Sequence, residues 1–375
     1  MTITFRDYND HGSGTYVDPS NTSPDPKTIS VTKATATEID YAASSGGVAF
    51  TIAVTGQFDL SHLAAPLITM ADANAAVSNN TLSGTISAFV VTSNGSYVIS
   101  QTYAPGLSLP AFSAYQDGTL AGYSTTLSGN DVYYTSANAT PTGGASNGVY
   151  LYGGNDTYYE NHVLMTYSDT FYGGDGIDTA VLPGKIANYK IQASNFVWDT
   201  VNKVSNLTGY IITDTTKAIN TLQVNQVERL QFSDTKLALD TATTQAAGQT
   251  ALLLGTALPG TLALDPTKQA LVGAVIGLFD AGFTLQQLSG ALLRLPVWDL
   301  LTNHANATAA DIATYLVHNV YGGTETAAIT NAAIAAMTAE TPATQGTYLA
   351  SLAQSTVGQT HIGLVGLQTS GLAYV

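Results

Sequence analysis

Along the first two thirds of the chain, β-branched and aromatic residues come in short runs broken by Gly, Asn and Ser, which predicts strands. The runs are Ile29–Thr32, Glu38–Ala42, Val48–Thr55, Thr85–Thr92 and Tyr97–Thr102. Asn94 and Gly95, between the last two, form a strong hairpin signal. Around Leu60–Ala76 the pattern loosens into Ala, Leu and Met, which suits a short helix or an irregular crossover. Residues 1–28 read as an irregular arm with a first short strand at Thr2–Phe5, so 1–126 is expected to form an N-terminal β-sandwich-like domain. A second set of runs, Tyr189–Ala193, Phe196–Asp199, Thr208–Thr213 and Arg229–Phe232, places capping strands over 183–240. From 241 onward the period changes. Leu271, Val275, Leu278 and Phe279 form one helical stripe, and Leu285, Leu288, Leu292 and Leu295 continue it after a break at Gly282. Thr284 caps the helix that starts at Leu285, and Pro296 ends or restarts the next. Ile312–Val320, Ala327–Thr338 and Thr347–Ser355 read as three further helices. The expected fold class is mixed and mainly β, with an all-α C-terminal domain over 241–375.

Residues 127–182 follow a different pattern. Residues 127–131 read Leu-Ser-Gly-Asn-Asp, residues 151–157 read Leu-Tyr-Gly-Gly-Asn-Asp-Thr, and residues 171–180 read Phe-Tyr-Gly-Gly-Asp-Gly-Ile-Asp-Thr-Ala. The last is a complete G-G-x-G-x-D-x-U turn, with Gly173, Gly174, Gly176, Asp178 and Ala180 in register; it marks a short calcium-binding parallel β-roll. Paired glycines permit a tight turn with positive φ that aims main-chain carbonyls inward. The Asp adds the carboxylate that a hard, oxygen-seeking cation needs. Asn147 lies nine residues before Asp156, and Asp169 nine before Asp178; the positions two later are Val149, Tyr158, Phe171 and Ala180, all apolar or aromatic. From Asp156 to Asp178 is 22 residues, two nine-residue turns plus a four-residue insertion around Asn161–Leu164, so these two carboxylates could share an ion. Asp131 sits one irregular step earlier. The candidate ligands are Asp131, Asn147, Gly153, Asn155, Asp156, Asp169, Gly173, Asp175, Gly176 and Asp178, and the candidate cofactor is Ca2+. Gly-Asn-Asp turns also occur in plain hairpins without metal, but hairpins alone do not explain a nine-residue phase.

Charge supports the same reading. The 375-residue chain has a net charge of −15, with only 10% charged residues, and among its 26 acids Asp outnumbers Glu 21 to five. Asp suits turns and ion sites, whereas Glu is the better helix former. Between Lys33 and Lys185 there is no Lys or Arg, yet eleven acids fall there, and without bound cations that half repels itself. With no basic patch to neutralise phosphates, nucleic acid is a poor partner. The absence of Cys excludes disulfides, thiolate metal sites and a cysteine nucleophile. The N-terminus shows no basic start followed by an apolar run, and no apolar stretch reaches the ~20 residues needed to span a bilayer. Gly273 and Gly277 are therefore expected to pack helices closely within a soluble fold.

Three stretches resemble the haemolysin-type calcium-binding repeat (RTX) proteins of Gram-negative bacteria. They are the turn at 173–184 followed by Asn188, Tyr189, Lys190 and Ile191; the segment Val227–Asp234 with 237–240; and the helical region from Leu271 through Trp298 and Leu316 to 363–367. The resemblance implies secretion by a type I route and folding on calcium outside the cell. Some such proteins resemble S-layer or S-layer-like sheath proteins, which implies self-assembly into a surface layer, with lipopolysaccharide of the outer membrane as a further partner. An adhesin or ligand-binding module and a secreted hydrolase are the alternatives. Gly144, Ser146 and Gly148 match G-x-S-x-G, but a strand rather than a helix is expected to follow, which argues against a nucleophile elbow. The six histidines show no zinc-type spacing, no phosphate loop leads into a helix, and no enzyme activity is expected.

Overall fold

The computed structural model describes residues 2–7, 29–45, 48–93, 96–116, 127–135, 148–161, 168–196, 207–216, 221–258, 266–339, 341 and 345–375. It shows a mixed architecture, with a large β-sheet and a C-terminal helical region. The chain divides into two units, Met1–Asp234 and Thr235–Val375.

The first unit begins with β1 (Thr2–Asp7), β2 (Ser30–Ala34), β3 (Glu38–Ser45), β4 (Val48–Asp59), β5 (Ser83–Ser93) and β6 (Ser96–Ser108). β2 to β6 run as an antiparallel meander, and β1 joins antiparallel to β6. Ser93 pairs with Ser96. Asn94 and Gly95, the turn residues expected from the sequence, lie outside the described residues. Where a sandwich would need two facing sheets, the described strands before residue 117 lie in one sheet. A helix at Met70–Ser78, opened by a reciprocal cap between Thr69 and Asp72, buries Ala73, Ala76 and Val77. Ile39, Val54, Phe58 and Ile86 supply the apolar interior of this region.

Next come β7 (Val132–Tyr134), β8 (Gly148–Tyr150), β9 (Thr157–Tyr159), β10 (Ser168–Tyr172), β11 (Thr179–Val181), β12 (Tyr189–Phe196), β13 (Leu207–Asp214), β14 (Thr221–Asn225) and β15 (Arg229–Gln231). These strands alternate between two stacks. β7, β9, β11 and β15 pair in parallel as one stack, and β8, β10 and β14 as the other. That alternation makes a parallel roll. One strand face points between the stacks, so residues at equivalent positions line up in columns. Tyr133, Tyr158, Ala180 and Leu230 face inward from the first stack, and Val149, Phe171 and Val224 from the second; all are buried. The Tyr158 ring stacks on Tyr133 at 5.6 Å and on Phe171 at 5.2 Å between ring centres.

Both ends of the roll have edges to satisfy. β1 pairs in parallel with β7 while holding β6 on its other side, so a single strand is shared by the meander and the roll. At the far end β12 and β13 form a hairpin that pairs antiparallel with β14, covering an edge that would otherwise expose unpaired amides.

The second unit pairs β16 (Lys236–Ala238) with β17 (Leu372–Tyr374) and is otherwise helical. Its helices at Ala309–Tyr321, Ala327–Ala339 and Gln345–Gln354 match the three expected. Leu254, Ile276, Leu316, Val317, Met337 and Leu349 are at its core. Trp298 is buried and donates its indole N–H to the Leu292 carbonyl at 2.9 Å. The stripe expected on Gln269–Asp280 is rotated: Val272, Val275, Ile276 and Phe279 are buried, whereas Leu271 and Leu278 are 44% and 41% exposed. Gly273 does pack closely, against the Val375 carbonyl, but a Cβ on Gly277 would meet nothing within 4 Å. Among the described residues no helix is long and apolar enough to cross a membrane.

Candidate metal centre

Each strand of the first stack is entered through a turn that ends in an acidic residue. The turn before β9 carries Gly154 at φ +113°, and the turn before β11 carries Gly174 at +111° and Gly176 at +138°. A Cβ on Gly154, Gly174 or Gly176 would strike a carbonyl of the neighbouring turn, namely Gly129, Tyr152 and Gly154 in that order. Only glycine combines that φ with that approach, so the spacing seen in the sequence is a stacking requirement.

The stacked turns place the carboxylates in one column. The Ile3 N–H donates to Asp131 Oδ1 at 2.6 Å, and the Asp131 N–H to Asp156 Oδ1 at 2.6 Å. The Asp156 N–H donates to Asp178 Oδ1 at 2.8 Å, and the Asp178 N–H to Glu228 Oε2 at 2.9 Å. Each acid therefore accepts the amide of the rung before it. A second ladder runs alongside, where the Asn155 N–H donates to Asn130 Oδ1 at 2.8 Å and the Ile177 N–H to Asn155 Oδ1 at 2.9 Å.

The column leaves half of its acceptor capacity unused. Asp131, Asp156 and Asp178 are buried, and Oδ2 of each receives no hydrogen bond from the described residues. Burial pushes the Asp156 carboxyl up to about 9, and the charges of Asp178 and Asp131 add to the rise. Burial likewise lifts Asp131 and Asp178 to about 7 each. Removing three carboxylates from water is costly unless each holds a proton or faces a cation. Space has been left for the acid: a Cβ on Gly173 would fall against Asp178 Oδ2 and the Gln226 carbonyl. Buried oxygens without a donor, beside a gap that a side chain would close, fit a hard cation with oxygen ligands. Among the described residues, no group of three or more His, Cys, Asp or Glu is placed to hold one ion by side chains alone. An ion here must draw on main-chain oxygens of the turns as well.

The structure thus brings together Asp131, Asp156 and Asp178, with Gly173 beside Asp178. Gly153 pairs across the turn with Asp175, whose side chain is exposed, and Gly176 sits against the Gly154 carbonyl. Asn155 belongs to the outer ladder. Asp169 is buried in β10, in the other stack, where its charge and that of Glu160 add to the effect of burial in raising the Tyr158 phenol. Asn147 and Ser146 lie outside the described residues. Glu228, next to Arg229 in the sequence and not among the candidate ligands, forms the end of the acid column. Its signal was a following strand, Arg229–Gln231, in register with Thr179–Val181. The Ile3 amide and β14 carried no such signal.

No family model, curated protein or solved structure matches the chain.

Proposed function

We propose that this chain is a secreted calcium-binding structural protein, folded by Ca2+ in its roll and assembled with further copies of itself into an extracellular layer or sheath. One observation carries the reading: three stacked, buried aspartates whose Oδ1 atoms are committed to backbone amides and whose Oδ2 atoms have no donor among the described residues. Asp131, Asp156 and Asp178, with turn carbonyls, would hold the metal, and Glu228 closes the column. The ion's contribution is charge neutralisation; the chain aligns the acids through the amide ladder and excludes water around them. Because the unfolded chain has no such column, binding free energy becomes folding free energy. The acidic, Lys- and Arg-free half then folds where calcium is plentiful and repels itself where it is scarce.

Self-association is supported by the surface chemistry. The chain has 21 Tyr and few charges to hold neighbours apart. On strand faces opposite the roll interior, half-buried Tyr134 stacks on half-buried Tyr159 at 4.5 Å, and half-buried Tyr150 stacks at 4.4 Å on Tyr172, which is buried. Lipopolysaccharide is the further partner in this reading, and catalysis has no part in it. The test is electron microscopy and far-ultraviolet circular dichroism of the purified protein with calcium and with a chelator. Loss of strand signal and of assembly on chelation is expected. Order and secondary structure that persist unchanged would refute the proposal.

A further inference from the structure

The helical unit contains a groove that the calcium column does not explain. Its volume is about 510 Å3, and its walls come from the helices Ala246–Ala257, Gln269–Asp280, Leu285–Leu292 and Gln345–Gln354. The last two helices approach so closely that a Cβ on Gly346 would come within 2.9 Å of Gly290 Cα, which fixes the groove's width. Phe279 forms its buried floor, and Phe283 stands 46% exposed at its rim. That ring sits on a fixed turn. Gly282 takes φ +90°, the Phe283 N–H donates to the Leu278 carbonyl at 3.1 Å, and the Thr284–Gln287 cap follows at once.

Around the two rings the lining is polar but uncharged. Gln286 donates through Nε2 to Thr347 Oγ1 at 2.7 Å across the groove, and Gln249 through Nε2 to the Thr244 carbonyl at 3.0 Å. The amide oxygens of both, the whole side-chain amide of Gln354 and the Ser351 hydroxyl have no hydrogen-bond partner among the described residues. No lining residue is Asp, Glu, Lys, Arg or His. A charged ligand would find no counter-charge here. An apolar ligand would bury these amides without partners. A ring with hydroxyls on its edge and C–H groups on its face satisfies both the amides and the exposed aromatic face.

We propose that this groove binds a neutral saccharide, with Phe283 as the stacking platform and Gln286, Gln354 and Ser351 reading the hydroxyls. The site goes beyond the calcium reading and does not depend on it. The test is saturation-transfer NMR on the full chain with calcium present, using neutral methyl glycosides of glucose, galactose, mannose and N-acetylglucosamine. Dextran serves as a polymeric probe and N-acetylneuraminic acid as an anionic one. Transfer to at least one neutral glycoside is expected, with affinity about tenfold weaker in Phe283→Ala. The exposed-site variant Gln354→Leu, which cannot disturb the core, should also weaken it. Stronger binding of dextran than of any glycoside would identify a polysaccharide chain as the source, and stronger glycoside binding a free sugar. Silence from every neutral probe, an equal response to the anionic sugar, or binding unchanged in both variants would overturn the proposal.

Discussion

Replacing Asp156 with Asn separates two demands placed on one side chain. The amide keeps an oxygen for the Asp131 N–H but cannot ionise. In the metal-free wild type, burial holds the Asp156 proton up to about 9, against an ordinary value of 3.8. The folded value lies above the unfolded one, so this group's contribution is full below the unfolded value and is lost as pH rises toward the folded value. The slope is about 1.4 kcal/mol per pH unit. Asp131 and Asp178, lifted to about 7, add the same slope up to that point. The metal-free column should therefore lose on the order of 4 kcal/mol per pH unit between pH ~4 and ~7. Without metal the first unit should therefore be most stable in acid and lose stability steadily across that interval. Asp156→Asn removes one of the three protons, lowering the metal-free slope by about a third and making the variant about 3 kcal/mol more stable than wild type at pH ~6. Calcium should narrow that gap, because wild type gains about 3–4 kcal/mol at a large excess over Kd and the variant, short of one anionic ligand, gains less. Urea unfolding followed by circular dichroism, in chelator and in calcium across this pH range, measures all of these quantities. A variant less stable than wild type by the same amount in both conditions would refute the reasoning, since the carboxylate would then serve only as a hydrogen-bond acceptor.

Gly173→Ala drives a methyl into Asp178 Oδ2 and the Gln226 carbonyl, and should lower stability by about 3 kcal/mol and weaken calcium binding. Gly277→Ala, with open space around the new methyl and a helical backbone, should raise the melting temperature slightly, by about 0.5–1 kcal/mol of stability. Tyr158→Ala removes a fully buried ring stacked on Tyr133 and Phe171, and should cost about 3–5 kcal/mol in urea unfolding. Ile3→Pro deletes the amide that caps Asp131. It should cost about 3 kcal/mol and speed amide exchange in both β6 and β7, the two partners of β1.

Local chemistry was legible in the residues alone. The nine-residue phase, with a four-residue insertion, placed Asp156 and Asp178 on one edge, with Asp131 an irregular step earlier, and turned Val149, Tyr158, Phe171 and Ala180 inward. A glycine turn and the two-residue alternation of a strand are properties of a few neighbouring residues. Capping chemistry was similarly local, as at Thr284. What required tertiary structure were contacts between distant parts of the chain. Glu228 joins the column 50 residues beyond Asp178, and the Ile3 amide joins it from 128 residues before Asp131. No spacing rule reaches that far, because a hairpin inserted between β11 and β14 changes the count without changing the stack. The outward turn of Leu271 and Leu278 has a different cause. On a helix apolar on nearly every side, several stripes satisfy the same period, and only the neighbours it packs against select the buried one.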